Sequence, residues 1–330
     1  MCCRSCPSIY EVQEEVKKLS QPIIQTQELT KHYREIKAVD HLDLTVDEGE
    51  IFGFLGPNGA GKTTTLLMLM GLTIPTSGTA TVGGYDIIEN SREVRKIAGM
   101  LPEGAGYYED LTASQNLNYI GQLNDIPRAE REKTITDLLE AVGLAEWADA
   151  KVEKFSRGMK QRLGIAEVLI KKPKVAFFDE PTIGLDPQGT KDVRDMMIKL
   201  NKEQDLTIFV SSHLLHEVQQ TCQRVGIIRK GKLVAADTIG NLSNKLAGKG
   251  KMTIEFELSK ISPDLIHEIE NIKDVASVEQ EGGKLYVHME SDKSAEVSRT
   301  ITKHGATILM MKSKEYSLEE IFLKYYEEEA

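Results

Sequence analysis

No apolar run in this 330-residue chain approaches the roughly 20 residues that span a bilayer. No basic stretch leads into an apolar segment at the amino terminus, so no secretory leader is expected. These two absences imply a cytoplasmic chain whose membrane contact, if any, runs through a partner. Cysteine is scarce, with 4 residues, and three of them (Cys2, Cys3 and Cys6) crowd into MCCRSC. No fourth ligand follows at zinc spacing, and no apolar segment precedes them. They read as reduced thiols on a mobile tail, residues 1–22, which ends in a short amphipathic helix carrying Ile9, Val12, Val16 and Leu19. Solenoid repeats and low-complexity tracts are absent as well. Basic excess is also lacking, since 41 Lys and Arg face 51 Asp and Glu for a formal net charge of -10. That balance disfavours a phosphate backbone as partner, and no nucleic acid is expected.

What is present suits a folded chain of one large and one small domain, 40% hydrophobic and 28% charged. IIQTQEL and LDLTV alternate as strands, and EIFGFL runs into GPNGAGKTT and an apolar helix. Residues 111–170 read as mostly helical. KVAFFDE and LTIFVSSH are short buried strands, each followed by a helix pattern, as in parallel α/β units. VGIIRKGKLVAAD reads as a hairpin closing a domain over 23–240, and the polar NLSNKLAGKGK places a linker at 241–250. Residues 251–330 give the order βαββαβ of a ferredoxin-like fold, then a last helix with Ser317 and Glu320 as its capping box.

Gly56 to Thr63 satisfies GxxxxGK[ST], after a strand and before a helix. Gly56, Pro57, Asn58, Gly59, Ala60, Gly61, Lys62, Thr63 and Thr64 form the expected phosphate cradle, because glycines let successive N–H groups turn inward. Lys62 is expected at the β/γ-phosphates and the Thr63 hydroxyl on Mg²⁺. This chemistry requires a nucleoside triphosphate. Asp179 and Glu180 end the strand VAFF, where adjacent carboxylates would repel unless a cation or proton separated their roles. Asp179 goes to Mg²⁺ and Glu180 to the attacking water. His213 closes FVSSH, a position that alone carries no catalytic assignment. NKEQD at 201–205 mimics a guanine-reading motif but has one residue too many.

The ordered set GPNGAGKTT, SRGMKQR, VAFFDEPTIGLDP and SSH resembles the ATP-binding subunits of ATP-binding cassette transporters. The likeness is greatest to the exporter type with a separate permease, and it covers about residues 23–240. It implies an α/β P-loop NTPase domain with an antiparallel β subdomain and a helical subdomain, before a small α+β ferredoxin-like domain. It also implies ATP with Mg²⁺, a homodimer or heterodimer of cassettes, and an integral membrane permease at the inner face of the cell membrane. Residue by residue, it puts Tyr33 on adenine, Ser156 and Gly158 in the signature sequence, Asp186 where two subunits meet, and His213 at the γ-phosphate. Ser156 is also expected to cap a helix over 157–170. By resemblance that helix start faces the γ-phosphate held by the other subunit. Two departures stand out. Arg157 and Met159 replace the usual Gly and Gln, and Glu103, expected near Mg²⁺, replaces a usual Gln. Related exporter-type ATPases tolerate both changes, so an active site is expected. A soluble cassette ATPase acting on ribosomes or nucleic acid is the alternative, without the second cassette or the long insertions of such proteins.

Overall fold

The computed structural model describes residues 22–247, 252–313 and 318–327. The cysteine-rich tail, its helix and Ser317 lie outside the described residues. Contacts divide the chain into two units, one ending at Ala236 and one starting at Asp237.

The first unit holds two sheets. Strands β1 (Pro22–Tyr33), β2 (Ile36–Asp47), β4 (Ser77–Val82) and β5 (Tyr85–Asp86) form an antiparallel sheet in the order β2-β1-β4-β5. The other sheet has six strands: β3 (Ile51–Leu55), β6 (Ala98–Leu101), β7 (Val175–Asp179), β8 (Thr207–Ser212), β9 (Arg224–Arg229) and β10 (Lys232–Thr238). Their order is β10-β9-β3-β8-β7-β6, with β9, β3, β8, β7 and β6 running parallel. Every residue of β3, β7 and β8 is buried. Such strands carry continuous apolar runs instead of alternation, because both faces of a parallel sheet are covered. Phe209 is the hub of the core, its ring 5.4 Å from both Phe52 and Phe54 and 5.7 Å from Phe177.

Helix α1 (Lys62–Leu69) leaves the phosphate loop and packs Leu66, Met68 and Leu69 into this core. Helix α2 (Ser91–Ile97) precedes β6. The expected helical stretch contains α3 (Ala113–Leu123), α4 (Arg128–Ala141) and α5 (Arg157–Leu169). Thr112 and Gln115 form a full capping box at the start of α3. Helix α6 (Pro187–Gln204) leads into β8, and α7 (Leu215–Thr221) follows it. Asn201, inside the guanine-motif mimic, donates its side-chain N–H groups to the carbonyls of Gly49 and Leu206 at 2.7 and 2.9 Å. The motif resemblance therefore falls on a residue used for folding.

The second unit begins with α8 (Ile239–Ala247), which occupies most of the segment expected to be a linker. Its polar composition hid a helix that buries Leu242 and Ser243. Strands β11 (Met252–Leu258), β12 (Val275–Glu281), β13 (Lys284–Met289) and β14 (Ile308–Ser313) pair antiparallel in the order β12-β13-β11-β14. With α9 (Pro263–Glu270) and α10 (Ser294–Lys303) this is the ferredoxin-like arrangement. Phe256, Leu285, Val287, Val297 and Ile301 build its core. Helix α11 (Leu318–Glu327) packs against α8 and buries Leu318 and Ile321.

Candidate active site

Three adjacent parallel strands bring the motifs together. Leu55 at the end of β3 is level with Ser212 of β8, and Ser211 is level with Asp179 of β7. The chain therefore leaves all three strands at one edge, where the phosphate loop, the carboxylate pair and His213 converge. Gly56 N–H donates to the Ser212 carbonyl at 3.3 Å, anchoring the start of the loop.

The loop surrounds an open cleft of about 690 Å³, lined by residues that include Pro57, Asn58, Gly59, Lys62, Thr63 and Glu180. Gly61 has φ 111, and a Cβ there would lie 2.3 Å from the Ala38 carbonyl oxygen, so only glycine fits. Gly61 is also the N-cap of α1 and offers no side chain, which leaves the first-turn amides to an anion. Ala60 is buried behind the loop, while Thr64 joins the lining.

Lys62 Nζ donates to the Gly56 carbonyl at 2.7 Å and lies 3.0 Å from Glu180 Oε1. Both side chains are buried, at 6% and 5% exposure, so removing either leaves an uncompensated charge. Glu180 Oε2 is 2.9 Å from His213 Nδ1. Glu180 itself has φ 50, an uncommon conformation for a residue with a side chain. Its N–H donates to the Ser211 carbonyl at 3.1 Å, which holds that turn. Thr63 Oγ1 donates to Asp179 Oδ2 at 2.7 Å, and Ser211 Oγ donates to Asp179 Oδ1. A hydroxyl and a carboxylate side by side are the hard oxygen donors that suit Mg²⁺. Among the described residues no group of three or more His, Cys, Asp or Glu could hold a metal by itself. An ion here would take its remaining ligands from phosphate and water.

Glu103 lines the same cleft, just past the end of β6. Tyr33 does not line it. Tyr33 pairs across the β1–β2 hairpin with Ile36, which does, and the residue is 46% exposed. Lys31 Nζ sits 5.1 Å from the centre of that ring and donates to the Ile74 carbonyl at 2.6 Å. Ser156, Gly158 and Asp186 stand apart from the cleft lining as well. Ser156 caps α5, its side chain accepting from Met159 N–H at 3.2 Å, and Asp186 caps α6 by accepting from Gly189 N–H at 3.0 Å. Sequence reasoning missed Ile36 and Ala38 as cleft walls, and Ser211 as the second holder of Asp179. Only Ser211 left a signal, in its place within SSH.

A second groove, of about 560 Å³, runs beside β6 between α3 and α5. It is lined in part by Pro102, Ala105, Ile120, Glu167 and Lys171. Burial pushes the Glu167 carboxyl up to about 7 and raises the Tyr107 hydroxyl as well.

A phosphate loop, a split carboxylate pair and a capped signature helix on one P-loop fold narrow the field to cassette ATPases. Residues 39–183 match the ABC transporter family, and residues 244–326 match the C-terminal domain of DrrA1-3-like ATP-binding proteins. The bacitracin transport ATP-binding protein BcrA of Bacillus licheniformis is 39% identical over 303 residues, covering 92% of this chain and 96% of the relative. The chain belongs to the ABC transporter ATP-binding family. The linearmycin resistance ATP-binding protein LnrL of Bacillus subtilis (strain 168) is 33% identical over 305 residues, covering 91% of this chain and 97% of the relative. Among solved structures, the ATP-binding subunit of an ABC transporter matches with a TM-score of 0.61 at 27% identity, over 68% of this chain and 93% of the other. A dimeric post-hydrolysis ATP-binding cassette bound to ADP and Pi matches with a TM-score of 0.59 at 25% identity, over 65% of this chain and 98% of the other. Among the described residues of this ABC subunit, no helix is long and apolar enough to cross a membrane.

Proposed function

We propose that this ABC subunit hydrolyses ATP at a site completed by a second cassette and thereby drives export through a separate membrane permease. The observation that carries the reading is the buried Lys62–Glu180 pair, with the more exposed His213 against Glu180, beside the Thr63–Asp179 pair. Thr63 and Asp179, with Glu103 nearby, would hold Mg²⁺, which when bound neutralises charge developing on the β- and γ-phosphates. Lys62 and the open amides of α1 hold the phosphates. Glu180 orients a water and takes its proton, and His213 keeps that carboxylate aimed while reaching the γ-phosphate. Tyr33 offers its exposed ring face to the base. Ser156, Gly158 and Asp186 leave their own cleft unlined, which suits a role in a partner's site.

Hydrolysis removes the γ-phosphate contacts, so the ATP-bound dimer loses its advantage and opens. The segment from Glu103 to about Leu117 borders the second groove and would carry that motion to the permease. Export as the direction draws on relatives named for bacitracin transport and linearmycin resistance. The chain would then work at the inner face of the membrane, held there by the permease.

The test is to load a tagged Glu180→Gln variant with ATP and Mg²⁺ and to purify it from detergent-solubilised native membranes. Co-purification of a polytopic membrane protein is expected. Ribosomes, nucleic acid or soluble proteins alone in that fraction would move the chain to the soluble class.

A further inference from the structure

The basic residues of FSRGMKQR face three different parts of their own unit. Lys160 Nζ donates to Glu109 Oε1 at 2.6 Å. Arg162 donates to the carbonyls of Val142 and Gly143, at 3.5 and 3.3 Å, where α4 ends. Arg157 is exposed and makes no hydrogen bond or ion pair among the described residues. Its guanidinium instead lies against Gly184 in the GLDP loop. A Cβ on Gly184 would fall 2.2 Å from Arg157 Nη1, 2.5 Å from Cζ and 3.0 Å from Nη2. Gly184 has φ 68, a conformation that glycine adopts freely. The missing side chain thus leaves the space that the Arg157 guanidinium occupies.

Stability of α5 does not account for this arginine. As the first residue of α5 it sets a cation against the positive end of the helix dipole, which disfavours the helix. What the contact does join is two helix starts. Ser156, just before Arg157, caps α5, and Asp186, two residues after Gly184, caps α6.

We propose that Arg157 is a positioning residue that locks the GLDP loop onto the start of α5 within one chain. The two helix starts then meet the partner cassette as one surface. Arg157 acts through Gly184 and does not touch the nucleotide of its own cleft. This rests on the two-cassette site proposed above.

The test uses the full chain in a Glu180→Gln background, with ATP and Mg²⁺, measuring ATP affinity of the monomer and the dimerisation constant separately. Arg157→Gly should leave monomer affinity within about twofold and weaken dimerisation about tenfold. Arg157→Lys should restore little, because a compact, strongly hydrated ammonium does not fill the space beside Gly184 as the guanidinium does. Gly184→Ala should weaken dimerisation at least as much as Arg157→Gly, since its Cβ displaces the guanidinium and alanine is strained at φ 68. The double variant should be no more than about twofold worse than Gly184→Ala, because both break one contact. Retained ATP binding shows that each variant has folded. Undiminished dimerisation of Arg157→Gly, or multiplying effects in the double variant, overturns the proposal and leaves the proposed function standing. A Glu180→Gln parent that fails to dimerise with ATP overturns both.

Discussion

In the amino-terminal unit Lys62, Asp179 and Glu180 are buried beneath one cleft, whereas in the carboxy-terminal unit Glu268, Lys303 and His304 meet at the surface. Burying charge is expensive unless it is paired, and here Lys62 pairs with Glu180 while the Thr63 and Ser211 hydroxyls donate to Asp179. The surface triad shows the cheaper arrangement. Lys303 first, then His304, holds the Glu268 carboxyl down at about 2, and solvent bears most of the cost. Glu180, at the carboxylate pair, has φ 50, while the core of the second unit is plain aliphatic packing around Phe256. The first unit buries charge at a cost in stability; the second, among the described residues, builds its core from apolar side chains.

The comparison breaks most sharply at Glu180. Glu180→Gln keeps the side chain's shape and its contact distance to Lys62 but removes the base. Steady-state turnover should fall by about 10²–10⁴ while ATP binding persists. Turnover near that of the unmodified chain would strip Glu180 of its role.

Phe256→Ala probes the opposite side. Phe256 is fully buried in the second unit, and its truncation should cost that unit about 3–5 kcal/mol, read as an earlier thermal transition. Nucleotide affinity should not follow. A parallel loss of ATP binding would mean that the units do not divide chemistry from packing.

Glu167 gives the smallest effect and refines the contrast, being a half-buried acid in the first unit that lines the second groove and not the cleft. Its folded value of about 7 lies above the ordinary 4.5, so the folded state keeps a proton that the unfolded chain gives up. Stability should therefore fall as pH rises from 4.5 to 7 and level off above that. Glu167→Gln should flatten that slope, by about 1–3 kcal/mol between the two limits, in thermal melts across the range. Identical pH profiles for the two proteins would show that the carboxyl is solvated.

Much of the site was legible because its motifs are local. Gly56–Thr64 needs its residues consecutive so that successive amides surround one phosphate, and Ser156 and Asp186 cap the helices that directly follow them. The α8 helix was hidden because a mostly polar stretch can still bury Leu242 and Ser243 once β11 and α11 are in place beside it. The walls of the cleft were equally invisible. Ile36 and Ala38 come from a hairpin whose sequence says only that it is a strand.

By itself, the sequence marked the phosphate loop, the carboxylate pair and the signature stretch, since each depends on short-range order along the chain. Tertiary structure alone decided what they touch. The parallel register of β3, β8 and β7 puts Thr63 on Asp179 and Lys62 on Glu180, across more than a hundred residues of chain. It likewise seats Arg157 on Gly184. Spacing along a chain can encode a turn or a cap, but contacts between distant segments exist only once the core between them has formed.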